Sequence, residues 1–358
     1  RSHAVSTLRS LPPVPVRFLV RATEEALLRH TDRAARGGWG PADLGELTRR
    51  RGGPGCVAAL ATVLTDYAAR ETWTRPAWSG ELDGLGPADR LSLDTVEGLA
   101  VALQVAALLT MVPTVEGPLP VAVSNAAHPK LARVRALLAK AESTEYAEEA
   151  EAISAKAQEL IARYALERLL QRDPGAGHEG APDVTSRRIW LDAPYVMAKA
   201  SLVHEVARAN RCRSVVTASL GFCLVVGDPA DLDAVDLLVT SLLVQANTAM
   251  VRHGGQVDRH GASRTRSFRQ SFLVAYAGRI GDRLRAAGAD AVRETGDEAR
   301  LLPVLRDQET RVREAVETML PHLTTKSTTI SNHAGWLAGT AAADQALLDV
   351  RAPITPRR

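Results

Sequence analysis

The sequence predicts a predominantly helical α+β protein with an N-terminal helical domain, a central helical hairpin and a C-terminal domain holding a small antiparallel sheet among helices. Three observations predict it. Apolar residues recur at helical spacing through most of the 358 residues. Short β-branched runs cluster only between 188 and 226. Aromatics make up just 4% of the chain, so alanine and aliphatic side chains must build close-packed helical cores.

Residues 1–15 are polar and dotted with Pro12, Pro13 and Pro15, and read as a flexible arm. The N-terminal helical domain covers 16–112. Its first helix spans Val16 to about Arg33 and is broken by Gly37, Gly38 and Gly40. Pro41 suits a first helical position, and Leu44 and Leu47 continue an apolar face. A third helix is expected over Cys56–Arg70, a loop over Trp73–Gly86, and a core helix within Leu91–Val112. That last segment holds the longest apolar run, Leu99–Val112, which is shorter than the roughly 20 residues needed to span a bilayer.

A linker, 113–127, leads to the hairpin, 128–172. Leu131, Val134, Leu137 and Leu138 share one face of its first helix. Glu145, Glu148, Glu149 and Glu151 load the first turns of the second, complementing the helix dipole. A flexible Gly/Pro connector, 173–184, precedes the C-terminal α+β domain, 185–350, and a tail, 351–358. In that domain the expected elements are a strand at Arg188–Leu191, a helix over Tyr195–Ala209, and strands at Ser214–Ala218 and Phe222–Val226 turning near Gly221. Asp231 is expected to cap a long helix ending near Arg252. Helices follow over Ser267–Ala287, Leu301–Leu320 and Ala334–Leu348.

Composition excludes several classes. Hydrophobic residues at 46% and charged residues at 24% exclude a disordered or fibrous chain. Three widely spaced cysteines, Cys56, Cys212 and Cys223, are no disulfide framework and fit a reducing cytoplasm. No secretory signal pattern is visible, so a cytoplasmic location without membrane association is expected. Net charge is only +3, so nucleic-acid binding would have to come from local clustering. Of the 44 basic residues only five are lysine; such a ratio usually reflects GC-rich coding and carries no functional weight.

The strongest cluster lies between Arg252 and Arg285. Arg252, Arg259, Arg264, Arg266, Arg269, Arg279, Arg283 and Arg285 face only Asp258 and Asp282 in sequence. Guanidinium forks match phosphate oxygens, so Arg252, Arg259, Arg264, Arg266, Arg269 and Arg279 are the candidate phosphate or nucleic-acid contacts. The competing reading is a solvated face with arginines paired to acids. His204 and Glu205, with Cys212 and Cys223 downstream, are weak metal-ligand candidates for a metal-assisted hydrolase. Position 208 is arginine, so the His-Glu-x-x-His pattern fails, and strand cysteines are more often core residues. Asp228, Asp231, Asp233 and Asp236 lack calcium-loop spacing and suit a helix start better. The Thr324–His333 loop, with Lys326, Asn332 and His333, shows no nucleophile–base arrangement and reads as a polar loop. Trp39 and Trp336, each beside glycine, could anchor a partner, but isolated aromatics usually pack inside.

The hairpin resembles a known signature. Lys130–Glu142 followed by Glu149–Tyr164, with Ala155-Lys-Ala-Gln-Glu-Leu160 inside it, is similar to the bacterial and phage family carrying domain of unknown function 2786. Ile153 stands where that pattern more often has alanine. Flanking stretches, including Gly38–Asp43, Val226–Leu232, Ser267–Ile280 and Gly335–Gly339, resemble the longer members from GC-rich bacteria. The resemblance implies an architecture without an assigned reaction, and a neighbourhood with DNA-processing or metalloprotease-like domains in some relatives.

No complete catalytic constellation is present, and no cofactor is expected. The leading expectation is a non-catalytic protein associated with DNA, RNA or a nucleoprotein assembly. The alternatives are the metal-assisted hydrolase around His204 and Glu205, and a structural protein acting through self-association or a protein partner.

Overall fold

A computed structural model describes residues 13–53, 55–71, 77–86, 92–113, 184–257, 263–321, 323–324 and 331–344, with 132–134, 136, 137, 139, 160, 161, 163 and 164 of the hairpin. The chain divides into two compact units, Arg1–Val121 and Ala122–Arg358.

The first unit is helical: α1 (Pro13–Arg36), α2 (Pro41–Arg51), α3 (Cys56–Arg70), α4 (Ala77–Asp83) and α5 (Val96–Thr110). Gly40 is the N-cap of α2 and Pro41 begins it, where a missing N–H costs nothing. Thr95 caps α5 by accepting from the Gly98 N–H at 3.1 Å. Leu44, Leu60, Leu64, Leu99 and Leu109 form the core around Trp39, which is fully buried. Arg33 ties α1 to the end of α5 by donating to the Leu109 carbonyl at 2.9 Å. The stretch expected as a loop contains α4. Trp78 drives it: its ring is buried and tilts against Tyr67 of α3 at 6.0 Å.

The second unit runs β1 (Thr185–Trp190), α6 (Val196–Ala209), β2 (Arg213–Thr217), β3 (Phe222–Gly227), α7 (Pro229–Arg252), α8 (Thr265–Glu294), α9 (Glu298–Met319) and α10 (His333–Asp344). The three strands form an antiparallel sheet in the order β1-β3-β2, with Cys223 facing Ile189 on one side and Val216 on the other. β3 is central and wholly buried, so it reads as a continuous apolar run. Gly221 makes the turn into it with φ of +83°, a conformation that favours glycine. Cys223 and Val225 join the core with α6, α7 and α8. The alternate residues Phe222, Leu224 and Val226 are buried on the other face, where α9 packs on β2 and β3. Val134 and Ile161 of the hairpin belong to the same buried cluster as α6–α8.

Helix α7 is the one described helix long and apolar enough to cross a membrane. Its buried Asp231 and Asp233 are each held by an arginine, Arg211 and Arg187, and apart from the exposed Val244 and Val251 its large apolar residues pack into the second unit's core. Helix α10 lies against α8 because two glycines permit it. A Cβ at Gly335 would fall 2.3 Å from the Phe268 carbonyl oxygen, and one at Gly339 would fall 2.1 Å from that of Phe272.

Candidate nucleic-acid interface

The arginine cluster occupies the corner between α7 and α8 and continues along α8. At the corner the chain folds back on itself. Arg264 N–H donates to the Gln256 carbonyl at 2.7 Å, Gln256 N–H donates to Thr265 Oγ1 at 2.9 Å, and Val257 bridges to Ser263. The His253 ring lies 5.5 Å from Phe268 and 5.9 Å from Phe272, fastening the end of α7 to the start of α8.

The structure sorts the candidate arginines into two groups. Arg279 pairs with Asp344 at the end of α10, and Arg283 donates to the Ala343 carbonyl there. Arg285 binds Glu205 of α6 at 2.5 Å and Asp282 at 2.6 Å. These three tie α6 and α10 to α8, and Arg279 is engaged by Asp344 in an exposed ion pair. Arg252, Arg264 and Arg266 are exposed at the corner, and Arg269 is half-buried. Arg259 lies outside the described residues. Between Asp236 and Asp282 the sequence holds six arginines and a single acid, Asp258.

The metal candidates are not brought together. Glu205 is committed to Arg285, with Gly281 leaving room for its carboxylate. His204 is exposed, and its Nδ1 lies 3.3 Å from Ser214 Oγ. Partial burial holds its imidazole below the ordinary pKa, and Arg208 and Arg213 add to this against the opposing pull of Glu205. Cys212 packs against Gly227, and burial raises its thiol pKa. Burial pushes the Cys223 thiol up to about 12. A thiol so far from its thiolate is a core residue, not a ready ligand. No cluster of three metal-ligating side chains occurs among the described residues.

The aspartates are structural, with one correction. Asp228, not Asp231, caps α7, accepting from the Ala230 N–H at 3.0 Å. Asp231 instead receives Arg211 at 2.5 and 3.1 Å and Gln308 of α9 at 2.8 Å. Asp233 and Asp236 share Arg187, at 2.6 and 3.5 Å. In the polar loop before α10, Lys326 lies outside the described residues. Asn332 caps α10 by accepting from the Gly335 N–H at 2.9 Å, and its own N–H donates to Ser271 Oγ at 3.0 Å. Trp39 packs inside as expected, but Trp336 does not; it is 39% exposed on the first turn of α10.

Residues 130–168, which cover the hairpin, match the family described as protein of unknown function (DUF2786). The chain carries a DUF2786 segment. That segment is a short part of the whole and assigns no reaction. Two apolar residues of the matched segment, Val134 and Ile161, are at most 3% exposed and belong to the second unit's core. No curated protein and no solved structure matches the chain.

Proposed function

We propose that this DUF2786 protein binds nucleic acid without catalysis, gripping the phosphate backbone with Arg252, Arg264 and Arg266 at the α7–α8 corner. One observation carries the reading. Arg252, Arg264 and Arg266 are exposed at the corner, in a stretch of sequence almost free of carboxylates, while Arg279, Arg283 and Arg285 farther along α8 hold acids and carbonyls of α6 and α10. Arg269, half-buried beside them, is less available to a phosphate.

Three arginines on phosphates would each release condensed counterions, so they account for about 2.7 units of the salt slope on duplex DNA. The test is binding of the purified chain to random-sequence duplex at low and near-physiological salt, with the triple variant Arg252→Ala, Arg264→Ala, Arg266→Ala alongside. The variant should bind more weakly and with a flatter slope. An unchanged slope in a folded triple variant refutes the site.

A further inference from the structure

Between the end of α2 and the last two turns of α5 the first unit holds a cavity of about 390 Å³, within the size range of small-molecule sites. Its lining divides by chemistry. Ala107, Leu108 and Met111 follow Gln104 at i+3, i+4 and i+7, so the α5 wall is one stripe about 10 Å long with the amide at one end. Arg51, Gly52 and Gly53 form the facing wall, and no carboxylate of the described residues lines the space.

Gln104 is the single polar residue between Leu99 and Leu109. The Cys56 thiol, 0% exposed, donates to Gln104 Oε1 at 3.3 Å. That contact sets the orientation of the amide, because a thiol is a poor acceptor. The oxygen is turned to Cys56, and Nε2 is left without an acceptor among the described residues. The walls are fixed by backbone. A Cβ at Gly52 would fall 2.6 Å from the Thr48 carbonyl oxygen and 2.9 Å from Cys56 Cβ, so the end of α2 is held against the start of α3. A Cβ at Gly53 would lie 3.4 Å from Gln104 Oε1, so the glycine turn also lies against the amide. Met111, 44% exposed, stands at the open end with an unbranched side chain that repacks easily.

A donor at one end, a guanidinium on the facing wall and an apolar stripe along the length suit an acceptor head on a short hydrocarbon body. An ammonium head would meet an NH2 group and an arginine, and a wholly polar anion would leave the stripe uncovered. We infer that this cavity binds a medium-chain monocarboxylate, the carboxylate accepting from Gln104 Nε2 and the chain lying along Ala107, Leu108 and Met111. Arg51 contributes positive charge to the wall and is not required as a direct contact. The inference does not rest on the phosphate-binding reading, which concerns the second unit.

The experiment uses the full chain and octanoate, with octylamine and acetate as controls for the head and the chain. Calorimetry reads affinity. The methyl signals of the four methionines read location, Met111 being assigned with Met111→Leu. Octanoate should bind at about 1 mM or tighter and shift the Met111 methyl, leaving Met197, Met250 and Met319 in place. Octylamine and acetate should each bind at least about 10-fold more weakly. Gln104→Met keeps the side-chain length and removes the donor, and should weaken octanoate at least about 10-fold. Ala107→Phe fills the stripe from an exposed position and should abolish binding, which keeps the site testable if Gln104→Met fails to fold. Octanoate that leaves the Met111 methyl unmoved overturns the inference, as does equal affinity for wild type and the folded variants. Octylamine binding as tightly as octanoate overturns the carboxylate class and the inference with it.

Discussion

Replacing Gly339 with alanine would place a methyl carbon 2.1 Å from the Phe272 carbonyl oxygen, whereas ordinary contact begins near 3.4 Å. The obstacle is backbone, so no side-chain rotation relieves it. Helix α10 would have to retreat by about 1 Å or more, loosening the Arg279–Asp344 pair and the Arg283 contact at its end. Overpacking of this kind costs about 1–3 kcal/mol, offset by about 1 kcal/mol of helix propensity gained by alanine. The net expectation is a loss of about 1–2 kcal/mol and a melting temperature lower by about 2–8 °C in a unit of this size. Gly278 provides the control. It lies on α8 with nothing within 4 Å of a built Cβ, so Gly278→Ala should stabilise by about 0.5–1 kcal/mol. Gly335→Ala should resemble Gly339→Ala, and the double variant should cost less than the sum because one retreat of α10 relieves both clashes. Urea unfolding followed by circular dichroism reads all four. Equal effects of Gly339→Ala and Gly278→Ala, or strict additivity of the α10 pair, would refute the close approach of α10 to α8.

Other outcomes follow from the same packing. Asp231→Ala leaves the Arg211 guanidinium without its carboxylate and removes the Gln308 contact, so urea unfolding should show a loss of about 3–5 kcal/mol, and a loss below 1 would contradict the pairing. The pKa of His204 is lower folded than unfolded, so the unfolded chain binds its proton first. Stability should therefore fall as pH drops below the ordinary value of 6.5, and His204→Gln should flatten that fall in pH-resolved melts. A slope identical to wild type would show that the imidazole is not held neutral by its surroundings.

How far the fold was legible follows from where its causes lie along the chain. Helix α3 spans the predicted Cys56–Arg70, because glycines and Pro54 stand just before it and its apolar spacing is local. The strands of the small sheet were placed to within a few residues for the same reason. Helix α4 lies in a stretch whose sequence predicts a loop, since its formation depends on Trp78 docking against Tyr67. The sequence predicts a cap at Asp231 because cap and first-turn aspartates look alike in sequence, and Arg211, twenty residues away, decides between them. The same limit applied to the arginine cluster. Charge counting identified it, but the Asp344 that engages Arg279 lies 65 residues distant, and nothing local separates that arginine from Arg266. Gly335 and Gly339 face α8, which leaves Trp336 and Leu337 between them exposed, and a glycine pair on an alanine-rich helix is the signal that could have shown it.

The most direct test of the central claim is the salt dependence of duplex and single-strand binding for wild type and the Arg252, Arg264, Arg266 alanine triple variant. The account requires measurable binding at low salt, a steep slope for wild type, and a slope shallower by about 2.7 units on duplex for the variant. Binding that is absent at low salt, or a folded variant with the wild-type slope, contradicts it.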